Sequence, residues 1–190
     1  MNFISMIDEL FLLLSYMAIG GGLKYIDQAY DRRLFSKYKA NIIGILIGVL
    51  AGYLVITNNN NTMILFSILI ANAILRKIDN IGFYLGVVAL IPVMIIFGNF
   101  IGMEWSTFGF LIAVALVDQY GDDWRESRKL RKSLDIFMHY GFVWKVGILI
   151  TALLGLIPWI YFFAALMLDI AYSYVEIYSE KRRWGWTKKR

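Results

Sequence analysis

Residues 41–56 read NIIGILIGVLAGYLVI, and residues 81–97 read IGFYLGVVALIPVMIIF. Neither stretch contains a charged side chain, and each approaches the roughly 20 apolar helical residues that cross a bilayer core. Similar stretches recur along the chain, which is 59% hydrophobic and 17% charged, against about 25% charged in a typical soluble domain. The sequence therefore predicts an all-α, polytopic membrane bundle of about seven transmembrane helices.

Apolar windows extend this pattern in both directions. They place the helices at residues 3–30, 40–56, 63–79, 81–97, 104–120, 136–156 and 159–178. The asparagine-rich stretch Thr57–Thr62 predicts an exposed loop. The last residues, 179–190, are basic with two tryptophans, which is typical of an interfacial anchor.

The basic residues indicate how the chain is oriented. All but one of the 19 lysines and arginines fall in four segments, at 24–39, 76–77, 125–132 and 181–190. The intervening loops contain none, and basic residues concentrate in cytoplasmic loops. We therefore expect a multi-pass protein of the cell membrane with its N-terminus outside and its C-terminus in the cytoplasm. Orientation and anionic lipid headgroups then explain the net charge of +5 better than a nucleic-acid partner does.

The rarest residue types exclude several kinds of site. There is no cysteine and only one histidine. This composition excludes disulfides, cysteine-ligated zinc or iron–sulfur centres, thiol nucleophiles and sites that need several histidines.

Two short motifs predict an internal repeat. Gly44–Gly52 reads GILIGVLAG and Gly147–Gly155 reads GILITALLG, while Asp27–Asp31 reads DQAYD and Asp118–Asp122 reads DQYGD. A duplication would give parallel three-helix repeats joined by a linker helix, a known transporter layout. The predicted repeats cover 1–80 and 104–178, with the linker at 81–97. The alternative is chance, because apolar helices use few residue types.

The glycines predict close helix contacts. Gly44, Gly48 and Gly52 are spaced four apart, as in small-residue contact faces between membrane helices. Gly20, Gly21 and Gly22 form a second such group.

Aspartates near the basic ends of the predicted helices are the candidate functional residues. Asp27, Asp79, Asp118 and Asp169 each lie near the predicted cytoplasmic end of a helix. A charge there is costly in or near hydrocarbon, and the helix C-terminus disfavours a negative group. Four such residues require compensation, either from lysines and arginines or from a bound cation.

Spacing favours a particular cation. Asp27 and Asp31 are four apart, as are Asp118 and Asp122, so each pair shares one helical face. Paired carboxylates suit Mg²⁺, which also takes waters and phosphate oxygens. The surrounding basic residues could hold a diphosphate or lipid headgroup; they are Lys24, Arg32, Arg33, Arg125, Arg128 and Lys132. The alternative is local salt bridging, since Lys24 precedes Asp27 by three residues and Arg125 follows Asp122 by three.

These two DxxxD motifs, Asp27–Asp31 and Asp118–Asp122, resemble those of the UbiA family of membrane prenyltransferases. The resemblance implies an all-helical fold and Mg²⁺ held by these aspartates on a prenyl diphosphate. The family's first motif begins with Asn-Asp, whereas this one does not, and its chains have about nine helices. The three-plus-one-plus-three layout resembles SWEET and PQ-loop transporters, although Asp-Gln stands where they have Pro-Gln.

Three functions remain open from sequence. The first is a Mg²⁺-dependent enzyme acting on a phosphorylated prenyl lipid at the cytoplasmic face. The second is a small-solute or cation transporter, with Asn72 or Asp169 lining a polar cavity between the repeats. The third is a non-catalytic membrane protein whose carboxylates pair with basic side chains.

Overall fold

A computed structural model describes the backbone of residues 3–97, 102–127 and 142–187, and the side chains of 6–97, 102–121 and 142–181. These ranges contain helices and connections and no strand, which confirms the all-α prediction. The described residues form seven helices: α1 (Phe3–Tyr30), α2 (Lys37–Thr57), α3 (Asn59–Ile74), α4 (Ile81–Phe97), α5 (Trp105–Ser127), α6 (Phe142–Leu153) and α7 (Trp159–Thr187).

The predicted asparagine loop at Thr57–Thr62 is wrong. The α2 helix ends at Thr57 and α3 begins at Asn59, so only Asn58 separates them. Asn58 has extended backbone angles, and its side chain accepts a hydrogen bond from the Asn60 N–H at 2.8 Å. The asparagine thus acts as the N-cap of α3 and satisfies a donor that the helix leaves free.

The predicted end of the third helix at Asp79 is also wrong. The α3 helix ends at Ile74, and Arg76 follows in the left-handed region with φ 57°. The Lys77 N–H donates to the Asn72 carbonyl at 2.8 Å, and the Arg76 N–H donates to Ala73 at 3.2 Å. This bond pair is the Schellman motif that terminates helices. Asp79 therefore lies in the connection to α4 and is exposed.

The chain packs as two compact units. The first contains the residues up to Tyr53, Asp79–Phe97 and the residues from Leu166 on, and the second contains Leu54–Ile78 and the residues from 98 to Ala165. Consequently α2 and α7 contribute to both units. This division follows packing alone, and the repeat over 1–80 and 104–178 stays a prediction.

In the first unit, glycines bring helix backbones together. Gly44 and Gly48 on α2 lie against the backbone of Gly82 and Gly86 on α4, so closely that a β-carbon on either α2 residue would overlap a carbonyl oxygen. Gly20 on α1 lies equally close to the Leu168 carbonyl of α7. These contacts confirm the predicted glycine packing faces, which membrane helices use for dispersion contacts in place of a hydrophobic driving force.

In the second unit, α5 is the central helix and packs against both α3 and α6. Gly147 on α6 meets the side chain of Val114 on α5. Thr62 ties the start of α3 to the end of α2, because its hydroxyl donates to the Val55 carbonyl at 2.9 Å. These contacts fix the start of α3 against the end of α2 and the middle of α6 against α5.

Within the part of the chain that the structure describes, three helices are long and apolar enough to span a membrane, over Met6–Tyr30, Lys37–Thr57 and Trp159–Lys181. Large apolar side chains on the helices face outward, including Leu46 at 62% and Val88 at 64% exposure. An apolar exterior combined with glycine contacts inside is typical of helices that face lipid. The α4 and α6 helices are apolar but shorter.

Candidate functional site

The last two turns of α1 carry a polar face. Lys24, Asp27, Gln28 and Asp31 follow one another at spacings of three, one and three, which place all four on one side of a helix. Lys24 and Gln28 are buried, Asp27 is half-buried, and Asp31 is exposed at the turn that follows the helix. This face begins inside the candidate span and ends just beyond it.

Lys24 joins α1 to α7 through two carboxylates. Its Nζ lies 3.0 Å from Oδ2 of Asp27 and 3.0 Å from Oε1 of Glu176. The same ammonium stands 4.6 Å from the ring centre of Tyr172 and donates to its hydroxyl at 3.4 Å. With 7% of the lysine exposed, the partners replace the water that the charge has lost. We call Lys24, Asp27, Tyr172 and Glu176 the Lys24 network.

A second group of charges surrounds Asp31. Partial burial, a hydrogen bond with the Asp27 carboxylate and the negative charges of Asp27 and Asp79 together raise the pKa of the Asp31 carboxyl above its ordinary value, while Lys24 opposes the rise. Asp79 is positioned by the connection into α4, where it accepts a bond from Asn80 at 3.3 Å. We call Asp27, Asp31 and Asp79 the acidic patch. The negative charges of Asp27 and Asp79 therefore oppose the ionisation of Asp31.

The acidic patch makes stability depend on pH. Below the ordinary value near 3.8, Asp31 is neutral in both the folded and unfolded chain and imposes no penalty. As pH rises through the raised pKa, the folded protein must ionise Asp31 beside other carboxylates and loses stability. We therefore expect Asp31→Asn to gain in melting temperature over wild type as pH rises from 3.5 to 7 with chelator present. A constant difference across that range would contradict this expectation.

Aromatic rings and an ion pair hold the loop between α1 and α2. The Phe35 ring is stacked on Tyr25 with ring centres 4.3 Å apart, and it lies parallel to Tyr178 of α7 at 6.4 Å. Arg32 pairs with Glu180 at 3.6 Å, and both side chains are largely exposed, so this pair adds little stability. Arg33 has φ 52°, a conformation that is uncommon for residues other than glycine. The loop carries both arginines, Arg32 and Arg33, which directly follow the acidic-patch residue Asp31 in sequence.

Asp118 has a structural role in the second unit. It is 8% exposed, and its Oδ1 accepts from the Trp144 N–H at 3.1 Å. Trp144 lies in the first turn of α6, whose free N–H groups and positive dipole end favour a carboxylate. Next to it, Lys77 donates to the carbonyl and side-chain oxygens of Gln119 at 2.9 and 3.1 Å. Asp118 thus caps α6 from a neighbouring helix.

The other predicted site residues are less informative. Asn72 is half-buried and donates to the Ile68 carbonyl of its own helix at 3.0 Å. Asp169 is half-buried in α7 and has an interaction partner. Asp122 and Arg125 lie on the α5 backbone, but their side chains are outside the described part of the chain.

Sequence reasoning missed three residues of this region. Glu176 and Tyr172 lie on α7 at a spacing of four, so they share the face that meets Lys24. Gln28, inside the DQAYD motif, is 1% exposed, and its Oε1 has no hydrogen-bond partner. The spacing of Tyr172 and Glu176 was a usable signal, whereas their proximity to Lys24 required the packing of α7 on α1.

The donor atoms fit a hard cation in chemistry, although not as a complete cage. Carboxylate and amide oxygens are the ligands that Mg²⁺ prefers, and the side-chain oxygen of Gln28 is an unsatisfied acceptor on the same helical face. Among the described residues, no three acidic or histidine side chains converge as a metal site. A bound ion would therefore need phosphate or water oxygens as well.

No protein-family model, curated protein or solved structure matches this chain. The chemistry of the site is therefore the guide to function. The Lys24 network and the acidic patch are the two features that bear on it.

Proposed function

We propose that the chain is a multi-pass integral membrane protein that binds Mg²⁺ together with a phosphorylated lipid at the acidic patch. Three apolar helices of spanning length support the membrane assignment. The segregation of lysine and arginine supports an external N-terminus and a cytoplasmic C-terminus. The acidic patch would then face the cytoplasmic side of the cell membrane.

One arrangement carries the proposal: the Asp31 N–H donates to the Asp27 carbonyl at 2.9 Å, which keeps the two carboxylates one helical turn apart, and the charges of Asp27 and Asp79 help to raise the pKa of the Asp31 carboxyl. Like charges held together are relieved by a proton or by a cation. Mg²⁺ commonly uses one or two protein carboxylates and takes its remaining ligands from water and substrate phosphates. The patch therefore matches an ion that arrives with a phosphorylated partner.

The neighbouring arginines supply the phosphate-binding groups of such a site. Arg32 and Arg33 follow Asp31 directly, on the loop held by Phe35. Guanidinium groups bind phosphate oxygens with two parallel hydrogen bonds. When bound, Mg²⁺ would stabilise negative charge on a departing diphosphate, while Asp27 and Asp31 hold the ion and the arginines orient the phosphates.

The proposed activity is still UbiA-like, but fewer residues are proposed to form the site. Asp118 caps α6, so the site is proposed at Asp27, Asp31 and Asp79 rather than at two equivalent DxxxD pairs. A prenyl diphosphate remains the proposed substrate class, because an apolar tail and a charged head suit a site at the end of a membrane span.

A second candidate has its own observation. Asp27 and Glu176 both meet Lys24, and Glu180 meets Arg32, which is the pattern expected of a non-catalytic protein whose charges only tie helices together. Such a protein would show no specific response to divalent cations.

Thermal stabilisation of the detergent-purified protein by Mg²⁺ or Mn²⁺ distinguishes the two. A ligand at 100 times its Kd adds about 2.7 kcal/mol to the free energy of unfolding, and we expect such a shift in wild type. Asp31→Asn should lose most of it, because the substitution removes a proposed ligand. Adding a soluble prenyl diphosphate should enlarge the wild-type shift.

Asp8→Asn is the matched control. Asp8 is an exposed carboxylate near the other end of α1, about 35 Å from Asp31 along the helix axis. The Asp8→Asn variant should show the same thermal stabilisation by Mg²⁺ or Mn²⁺ as wild type. An equal shift in wild type and both variants would leave the non-catalytic candidate as the better account.

A further inference from the structure

The position of Lys24 bears directly on how the acidic patch can bind a cation. Its ammonium already occupies one oxygen of Asp27, the carboxylate that lies one helical turn before Asp31. A positive charge on a proposed ligand competes with any incoming cation for the same lone pairs. The ammonium must therefore leave Asp27, at least in part, before a divalent ion can bind there.

The structure provides a second position for the Lys24 ammonium. Glu176 lies at the same 3.0 Å distance as Asp27, and the Tyr172 ring and hydroxyl lie beside it. A lysine that released Asp27 would keep a carboxylate, a hydroxyl and an aromatic face, so it would not become an unpaired buried charge. A lysine suits this exchange because its ammonium is a compact charge on a flexible stem.

Helix packing keeps the second position close. One turn before Lys24 on α1 and one turn before Tyr172 on α7, Gly20 lies directly against Leu168. This close approach holds the two helices together where the ammonium bridges them. Asp27 and Glu176 therefore stay within reach of one lysine.

We infer that Lys24 is a built-in counter-ion of the acidic patch, which holds Asp27 in the cation-free protein and transfers to Glu176 and Tyr172 when a divalent cation binds. This inference rests on the proposed function, since it needs a cation at Asp27. Lys24 is then a positioning residue that lowers the affinity of the acidic patch for a cation. Cation binding is also coupled to the contact between α1 and α7.

The test measures the Kd for Mn²⁺ by direct titration of the purified full chain. Lys24→Met should tighten Kd by about tenfold or more, because a unit charge next to a divalent ion opposes binding to that extent even with water-like screening. The double variant Lys24→Met with Glu176→Gln is the decisive one. It removes one charge of each sign, so the local net charge equals that of wild type, and yet it frees Asp27.

The double variant should bind Mn²⁺ several-fold more tightly than wild type, whether or not Lys24→Met alone folds. Lys77→Met is the control, because Lys77 bonds to Gln119 in the second unit, and its Kd should be unchanged. A double variant equal to or weaker than wild type would overturn the inference while leaving the proposed function intact. Failure of wild type to bind Mn²⁺ would instead overturn both.

Discussion

Replacing Gly20 with alanine should destabilise the protein by about 3 kcal/mol or more, the upper range for overpacking. A β-carbon at Gly20 would overlap the Leu168 carbonyl oxygen, carbon and α-carbon. All three are backbone atoms, so no side-chain rotation can relieve the overlap, and α7 must move away from α1. For a chain of this size we expect the melting temperature in detergent to fall by about 6–12 °C.

Gly109→Ala is the matched control. Gly109 lies within α5, and a β-carbon there meets nothing within 4 Å. Alanine should therefore stabilise the helix by about 0.5–1 kcal/mol through its higher helix propensity. A loss of stability at Gly109 equal to that at Gly20 would show that close backbone contact is not the cause.

Because the Gly20 contact lies one turn from the Lys24 network, Gly20→Ala should also disturb that network. Separation of α1 and α7 would lengthen the bridge from Lys24 to Glu176 before it affected the bridge from Lys24 to Asp27, which lies within α1. Cation affinity and stability should thus change together in this variant, as expected if the helix contact supports the site.

Asp118→Ala should cost about 2 kcal/mol of stability. The buried carboxylate accepts a hydrogen bond from Trp144 N–H, and bonds to charged groups contribute about 1.5–3 kcal/mol. Its loss would remove this acceptor from the first turn of α6, which is 12 residues long. Chemical or thermal unfolding in detergent would measure the loss.

Asp118→Asn separates geometry from charge. Asparagine keeps an oxygen that can accept the same bond but loses the interaction with the helix dipole, so it should recover about half of the stability. Neither substitution should weaken the cation response predicted for the acidic patch. If Asp118→Asn lost most of the cation-dependent stabilisation, Asp118 would have to be part of the cation site. That result would contradict its assignment as a cap alone.

The local sequence pattern was sufficient to predict much of the helical layout. The bounds predicted for α1 and α4 agree with the structure, because long, largely apolar stretches determine helices in a membrane, where every backbone group must be bonded within the chain. The end of α3 could not be located in this way. Its apolar window continues past Ile74, whereas a Schellman turn at Arg76 stops the helix.

The face shared by Lys24, Asp27 and Asp31 also followed from sequence, since helical periodicity alone places residues three, four and seven apart on one side. Periodicity could not show that Asp79 would lie near Asp31, because that proximity depends on where the connection into α4 passes α1. Nor could it distinguish Asp118 from Asp27. The two residues occupy similar motifs, but one meets the start of a helix and the other meets a lysine.

Sequence by itself determined that this chain forms apolar helices of membrane-spanning length with acidic residues near their basic ends, because length, hydropathy and helical spacing are properties of neighbouring residues. The tertiary structure decided which of those acids are neutralised within the fold and which gather as like charges. That distinction depends on contacts between residues as distant as Lys24 and Glu176, which close glycine packing creates and no local pattern encodes.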